Sequence, residues 1–401
     1  MKDNFQRVAL GRVCTINPES LSESTDRDFR FLYVDLSCVK TGKIDLPNQE
    51  IAFGDASPRA RRIIREGDIL LSTVRPNLRG FAMVEKEHSA AIVSTGFAVL
   101  RAKFEADNRY IYQVLLSDPV MKQVTDSVAG SNYPAITASI ISSLSIPLPP
   151  LFEQKSIATL LSIWDRGIRN LADQIANKVR LKDGVIQQLL NGTLRFLEYS
   201  TSDHELVPLC QVLTKVSVSV VPNREEMYRE IGVRSHGKGI FHKVPVTGGS
   251  LGNKRVYRVV PGCLTLNIVF AWERAVAITT HDEDGMIASH RFPMFRPDAD
   301  RLLAEYALLF LLSKKGAEAL ELASPGGAGR NRTLSQSGFL KNRIPLPSLA
   351  EQRRVVNFVQ VAGREIDLLR KQLELIKLQK KGLMQKLLTG QVRVKLPKGA
   401  K

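Results

Sequence analysis

Arg59, Arg61 and Arg62 read as one basic loop, and Arg75-Pro76-Asn77-Leu78-Arg79 follows an apolar run with the composition of a strand. Ser131-Asn132-Tyr133 lies on a Gly-led segment, and Arg330-Asn331-Arg332 follows Gly329 in the same manner. Arg234, Lys238, Lys254, Arg255, Trp272, Arg274 and Arg291 form a further set. Guanidinium and ammonium groups neutralise phosphates, and Arg, Asn, Gln and Ser on loops match the donors and acceptors of base edges. These are therefore the candidate DNA-contacting residues. Any one of them alone is more often a solvated surface charge. The paired placement of the two Gly-led polar segments sets those two apart.

Catalytic signatures are missing. His236-Gly237-Lys238-Gly239, Gly248-Gly249-Ser250-Leu251-Gly252-Asn253-Lys254 and Pro325-Gly326-Gly327-Ala328-Gly329 all depart from the phosphate-binding GxxxxGK[ST] pattern and read as turns. No GxGxxG follows a strand, so a nucleotide or methyl-donor fold has no support. His281-Asp282-Glu283-Asp284-Gly285 reads as a solvated hairpin turn rather than a metal site, and the six histidines lack paired-ligand spacing. Cys14, Cys38, Cys210 and Cys263 are far apart without a CxxC and read as reduced packing residues. Catalytic residues, cofactor and metal are each expected to be none.

Bulk charge agrees with a polyanionic partner. The 401 residues carry 57 Lys and Arg against 40 Asp and Glu, a formal charge of +17, with a pI near 9.8. Nucleic acid is the leading partner and an anionic membrane surface the second. No stretch approaches the roughly 20 apolar residues of a spanning helix, and the start Met1-Lys2-Asp3-Asn4-Phe5-Gln6-Arg7 lacks a signal-peptide core, so a cytoplasmic location is expected.

The elements that must position these residues come in two copies. Ile146-Pro147-Leu148-Pro149-Pro150-Leu151-Phe152-Glu153-Gln154 recurs as Ile344-Pro345-Leu346-Pro347-Ser348-Leu349-Ala350-Glu351-Gln352, the first position moving from 146 to 344, an offset of 198. The same offset carries Gln187-Gln188-Leu189-Leu190-Asn191-Gly192 onto Gln385-Lys386-Leu387-Leu388-Thr389-Gly390. Between these anchors apolar residues step by four and three: Val355, Val359, Ala362, Ile366, Leu369, Leu373, Ile376, then Leu383 and Leu387 after the polar slot Lys380. In the first copy the series runs Ile157, Leu161, Trp164, Ile168, Leu171, Ile175, Lys178, Lys182, Val185 and Leu189. Such spacing marks a coiled-coil seam. Prolines before each helix and Gly192 and Gly390 after it supply the start and stop chemistry. About 38 residues make a rod of about 57 Å. The two seams are expected to pack on each other, antiparallel, with a pseudo-two-fold relation between the halves. Lys182 and Lys380 occupy equivalent seam positions and read as register or solubility devices rather than DNA contacts.

The expected divisions are 1–145, a first globular head; 146–196, a first spacer helix; 197–343, a second head; 344–395, a second spacer helix; and 396–401, a basic tail. The heads are much less alike than the helices. Val8–Val13 matches Val207–Val212, Gly67–Leu71 matches Gly262–Leu266, and Phe97–Arg101 matches Phe292–Arg296, runs that read as strands. Helical stretches follow from Tyr110 to Val124 and from Ala304 to Leu322. Each head is therefore α/β or α+β with a strongly bent, twisted β-sheet. A preserved spacer beside two diverged heads is what two readers of different targets would show.

The Ile-Pro-Leu-Pro-x-Leu-x-Glu-Gln runs at 146–154 and 344–352, with the Leu-Leu-x-Gly ends at 189–192 and 387–390, resemble the specificity subunits of type I restriction-modification enzymes. Ile231 to Lys243 is also similar to a segment of some target recognition domains in that family. The resemblance implies two target recognition domains, each reading one half of a split double-stranded DNA site, with the helices holding the halves apart. It implies two methyltransferase subunits and two restriction/translocase subunits as partners. The chain itself would be non-catalytic, directing adenine methylation or cleavage by those partners. Two rivals stand beside it: a self-contained nuclease or methyltransferase, and a DNA-binding scaffold of a related defence system or solitary regulator.

Overall fold

The computed structural model describes residues 5–127, 135–200, 205–326 and 332–394. The chain forms two compact units, Met1–Ala172 with Lys371–Lys401, and Asp173–Arg370. Each unit combines one head with stretches of both long helices, α1 (Leu151–Asn191) and α2 (Leu349–Leu388).

In the first head, β1 (Cys14–Ile16), β2 (Ile69–Ser72), β3 (Phe81–Met83) and β4 (Phe97–Ala102) form an antiparallel sheet in the order β3-β2-β4-β1. Ile69 and Leu71 face a core shared with helices Asn108–Leu115 and Asp118–Ser127 and with both long helices, while Leu70 faces a second core. β4 alternates likewise, Ala98 and Leu100 to one side and Phe97 and Val99 to the other. Successive side chains point to opposite faces, so strands covered on both faces read as unbroken apolar runs. The second head repeats this with β5 (Leu213–Val216), β6 (Leu264–Leu266), β7 (Val276–Ile278) and β8 (Met294–Pro297), in the order β5-β8-β6-β7. The heads thus share a topology that their sequences barely show. Each also has a three-stranded sheet: Tyr33–Val34, Ala60–Ile63 and Ile92–Ser94 in the first head, Ser219–Val220, Val256–Arg258 and Ile287–Ser289 in the second.

Several expected boundaries move. The spacer helices begin at Leu151 and Leu349, not at 146 and 344, because Ser145–Pro147 and Arg343–Leu346 are strands pairing antiparallel with Arg7–Ala9 and Glu205–Pro208. Val8–Val13 and Val207–Val212 turn helical after their first residues, at Leu10–Val13 and Leu209–Gln211. The helical stretches after the strands are each two helices. Asn108–Leu115 breaks before Asp118–Ser127, and Ala304–Leu312 before Lys314–Leu322, where Ser313 caps the next helix by accepting from the Gly316 N–H.

The Ile-Pro-Leu-Pro-x-Leu-x-Glu-Gln motif joins head to helix. Ile146 and Ile344 are fully buried. Tyr110 donates to the Pro147 carbonyl at 3.0 Å, and Tyr306 to that of Pro345 at 3.1 Å. Gln154 accepts from the Asp107 N–H and donates to the Glu105 and Pro149 carbonyls. Gln352 accepts from the Leu303 N–H and donates to those of Arg301 and Pro347. Both amides, which are buried, are satisfied in the same way. Glu153 and Glu351, in the first turns of their helices, take bidentate hydrogen bonds from arginines far away in sequence: Arg393 at 2.8 and 2.8 Å, and Arg195 at 3.1 and 2.5 Å. The two arginines are themselves related by the offset of 198.

Within each unit the α1 and α2 stretches run antiparallel. In the first, Ile157, Ala158 and Leu161 share a core with Met384, Leu387 and Leu388. In the second, Leu189 and Leu190 share one with Val355. Every named seam position is buried or half-buried. Gly192 and Gly390 end the helices at φ values of 75° and 74°, left-handed geometry that glycine adopts without steric cost. Lys380 is buried and donates to Asp165 at 2.6 Å, so it serves the seam. Lys182, half-buried, lies 3.5 Å from its neighbour Asp183.

Removing a buried carboxylate takes a bidentate partner from its arginine, and the cost depends on whether water can reach that arginine. Arg195 is 13% exposed and Arg393 45%. E351A is expected to destabilise the second unit by about 3 kcal/mol, and E153A the first by about 1 kcal/mol, because an exposed guanidinium rehydrates. Urea unfolding followed by a probe in each unit measures both; equal shifts would contradict the argument.

Candidate nucleic-acid interface

β2 and β3 are joined by a 3₁₀ turn, Pro76–Leu78, with Arg75 (φ 48°) and Arg79 (φ 53°) in the left-handed region at its two ends. β6 and β7 are joined by another, Ala271–Glu273, ending in Arg274 (φ 59°). A non-glycine residue there costs about 1–2 kcal/mol. Of the five such residues among those described, Asn17, Arg75, Arg79, His236 and Arg274, four belong to these turns or to the segment docked on them. Strained backbone of this kind clusters at functional sites, which makes these turns the candidates.

Several of the other candidates lie near these turns. In the first head, Val74 bridges Ala135, and the Ile136 N–H donates to Thr73 at 2.9 Å. In the second, the Leu334 N–H donates to Ile268 at 2.8 Å, and the Arg332 guanidinium lies 5.5 Å from the centre of the Trp272 ring while bonding Glu321. The described residues that follow the Gly-led segments, Ala135, Ile136, Arg332 and Leu334, therefore lie beside the turns. Ser131, Asn132, Tyr133, Arg330 and Asn331 themselves lie outside the described residues. Thr95 N–H donates to the Arg59 carbonyl and Thr73 N–H to the adjoining Gly96, which brings Arg59 to the same edge. The Ile268 N–H donates to Arg291 at 3.0 Å, and the pairing of Val256 with Ser289 places Lys254 and Arg255 beside the segment that leads to Arg291. Arg75, Asn77, Arg59, Arg255 and Arg291 are exposed; Lys254 is exposed and 3.8 Å from Glu230.

Arg234 and Lys238 sit on the turn between strands Ile231–Val233 and Ile240–His242, with the Arg234 guanidinium 5.0 Å from the centre of the Phe241 ring. That turn docks on the strained one: the His236 N–H donates to Glu273 at 2.8 Å and the Gly237 N–H to Arg274 at 3.0 Å. The Arg274 guanidinium reaches the Leu312 carbonyl at 3.4 Å, and Trp272, half-buried, donates to Val269. The first head has a counterpart that reading the sequence missed: the Thr41 hydroxyl donates to the Arg79 carbonyl at 2.7 Å and the Gly42 N–H to Phe81. Its only trace in the sequence is a Thr-Gly pair.

Two expectations fail. Arg59, Arg61 and Arg62 are not one loop, because Arg61 and Arg62 lie on strand Ala60–Ile63. Arg61 stacks on Phe53, its guanidinium 4.6 Å from the ring centre, and Arg62 donates to Ser20 at 2.9 Å while burial pushes its pKa down. Both are engaged with the head itself. Nor is His281–Gly285 simply solvated: Glu283 is buried, takes a 2.8 Å contact from His242, and caps its own turn at Thr280. Burial raises its pKa, but the bonds from His242 and Thr280 outweigh that and leave it below the ordinary value. Among the described residues no group of three or more His, Cys, Asp or Glu could hold a metal, and no helix is long and apolar enough to cross a membrane.

The family model for the type I restriction modification DNA specificity domain matches residues 6–181 and 266–378. The chain is 26% identical over 355 residues to the type I restriction enzyme MjaVIII specificity subunit of Methanocaldococcus jannaschii, covering 83% of this chain and 81% of that one. Its fold is similar to a chain solved for the structural basis of assembly and conformational transition of the type I R-M system, with TM-score 0.65, 24% identity, and 97% and 98% coverage. It is also similar to the crystal structure of the HsdS subunit from Thermoanaerobacter tengcongensis, with TM-score 0.53, 24% identity, and 97% coverage of each. The chain belongs to this family, as a DNA specificity subunit of the type I restriction-modification kind.

The docking of the two turns in the second head makes a local test. Gly237 has φ 65°, and a Cβ there would lie 2.7 Å from Leu312. G237A is expected to release the 234–239 turn at a cost of about 1–2 kcal/mol, seen as faster amide exchange at positions 236 and 237 with the first head unchanged. Unaltered protection would contradict the docking.

Proposed function

We propose that the strained turn and the basic residues around it are the DNA-reading surface of each head, so that the chain recognises a two-part double-stranded target. The observation that carries this is the recurrence of one turn, ending in a left-handed arginine, at Arg79 and Arg274 on two heads of different sequence. Arg75 and Asn77, exposed at the tip, suit the major-groove edges of guanine and adenine. Trp272 and Arg332 offer a stacked face at the corresponding place in the second head. Arg59, Lys254, Arg255 and Arg291 set the register on phosphates, with Arg234 and Lys238 alongside. Ser131, Asn132, Tyr133, Arg330 and Asn331 are DNA-contact candidates on the sequence alone.

In this reading the chain supplies no catalytic step. It directs adenine methylation or cleavage carried out by two methyltransferase and two translocating restriction subunits. The long helices set the number of unread base pairs between half-sites.

R75A and N77A are expected to relax discrimination at the first half-site only, each by about 1–3 kcal/mol, and W272A and R274A at the second only. Mapping methylated sites in cells carrying the chain with its partner subunits measures this. A uniform loss across both half-sites would count against two independent readers. Adding one heptad to each helix should change the gap and leave both half-site sequences intact.

A further inference from the structure

Arg79 ends in a contact with no equivalent among the described residues of the second head. Its guanidinium bonds one oxygen of Asp118 at 3.1 Å, and the other oxygen of Asp118 receives the Lys381 ammonium of α2 at 2.8 Å. Asp118 stands in the first turn of helix Asp118–Ser127, where the helix dipole favours a carboxylate. Its pKa is held below the ordinary value, first by Lys381 and then by Arg79. The side chains are 40% and 52% exposed, and Lys381 is 58% exposed. Such pairs add little to stability, so the arrangement calls for another purpose.

The aligned position in the second head is Lys314, since Ser117-Asp118 corresponds to Ser313-Lys314. There Arg274 reaches only a backbone carbonyl. Among the described residues, the first head alone therefore ties its turn arginine to a carboxylate that is itself anchored on a long helix.

We propose that Asp118 is a positioning residue for DNA reading by the first head, holding the Arg79 guanidinium in one orientation and repelling phosphates that lack the correct register. This rests on the reading of the turn as a DNA contact. A guanidinium fixed before binding loses less side-chain entropy on contact. An acid beside it opposes non-specific attraction, the sequence-independent part of DNA affinity. Specificity therefore gains from both ends.

The test uses the full chain in complex with its methyltransferase subunits. Fluorescence anisotropy measures binding to the mapped target, to duplexes scrambled in either half-site, and to one scrambled in both. D118N is expected to tighten binding to the doubly scrambled duplex. It should also lower the preference for the intact first half-site by about three- to tenfold, with the second half-site preference unchanged. D118E should restore the preference, and K381Q should shift it in the same direction by less. If R79A lowers first-half discrimination and D118N does not, the positioning role is overturned and the DNA-facing turn stands. If R79A has no effect, the reading of the turn fails and the proposal with it. A D118N loss shared by both half-sites would mark a structural role and overturn the proposal.

Discussion

A carboxylate in the first turn of each long helix, buried and gripped by a distant arginine, is the constraint on which the rest of the molecule depends. Glu153 and Glu351 would be intolerable in an apolar setting without a partner. Arg393 and Arg195 supply it with two hydrogen bonds each. Because each arginine lies just beyond the end of the other long helix, neither unit can close from one copy of the repeat alone. The first unit needs residues near 393, and the second needs residues near 195. The chain is thereby committed to an antiparallel packing of α1 and α2 within each unit, and the seam residues then find one another.

Once the helix ends are fixed, Gln154 and Gln352 carry the constraint into the heads. Each reaches three backbone groups, on the segment before the helix that begins at Asn108 or Ala304 and on the proline run. Tyr110 and Tyr306 close the same junction from the other side. The strands beyond are buried on both faces, so their requirement is apolar volume rather than any particular residue. Ile69-Leu70-Leu71 and Cys263-Leu264-Thr265-Leu266 meet it differently. This is why heads with little sequence in common keep one strand order, and why the divergence could reach the turns without disturbing the frame.

What could be read from the sequence follows from the same division. The seam was legible because helical spacing is a period, and every seam position named from it is buried or half-buried. The motif was legible as a repeat, though not its purpose: nothing local to Glu153 points to Arg393, 240 residues away. The offset of 198 that relates Arg195 to Arg393 was the available signal, lying just past Gly192 and Gly390, which close the helices. The candidate turns were legible as basic residues after strands. Their left-handed arginines were not, since only tertiary contacts such as Thr41 on Arg79 hold that conformation. Arg62 misled because charge suggests exposure, whereas its strand turns it toward Ser20. Glu283 misled for the same reason, its partner His242 being on another hairpin.

The seam is not the same at its two ends, and that difference bears on what the repeat preserves. In the first unit Asp165 takes the Lys380 ammonium at 2.6 Å and the Gln113 amide at 2.6 Å. The aligned positions in the second unit are Gly363, Lys182 and Leu309, which cannot reproduce the cluster. There, Lys178 pairs instead with Glu365 at 2.7 Å, in a more open setting. Sliding the α2 stretch by a heptad in the first unit would leave Lys380 buried without its acid, and an unpaired buried ammonium costs several kcal/mol by desolvation. Among the described residues the second unit shows no buried lock of this kind, and its register rests on the Arg195–Glu351 closure, the open Lys178–Glu365 pair and apolar packing. Register is therefore guarded by a buried charge in the seam of the first unit and by an exposed pair in that of the second. The duplication has kept the geometry of the spacer while letting the interactions that fix it diverge, as the heads themselves have done.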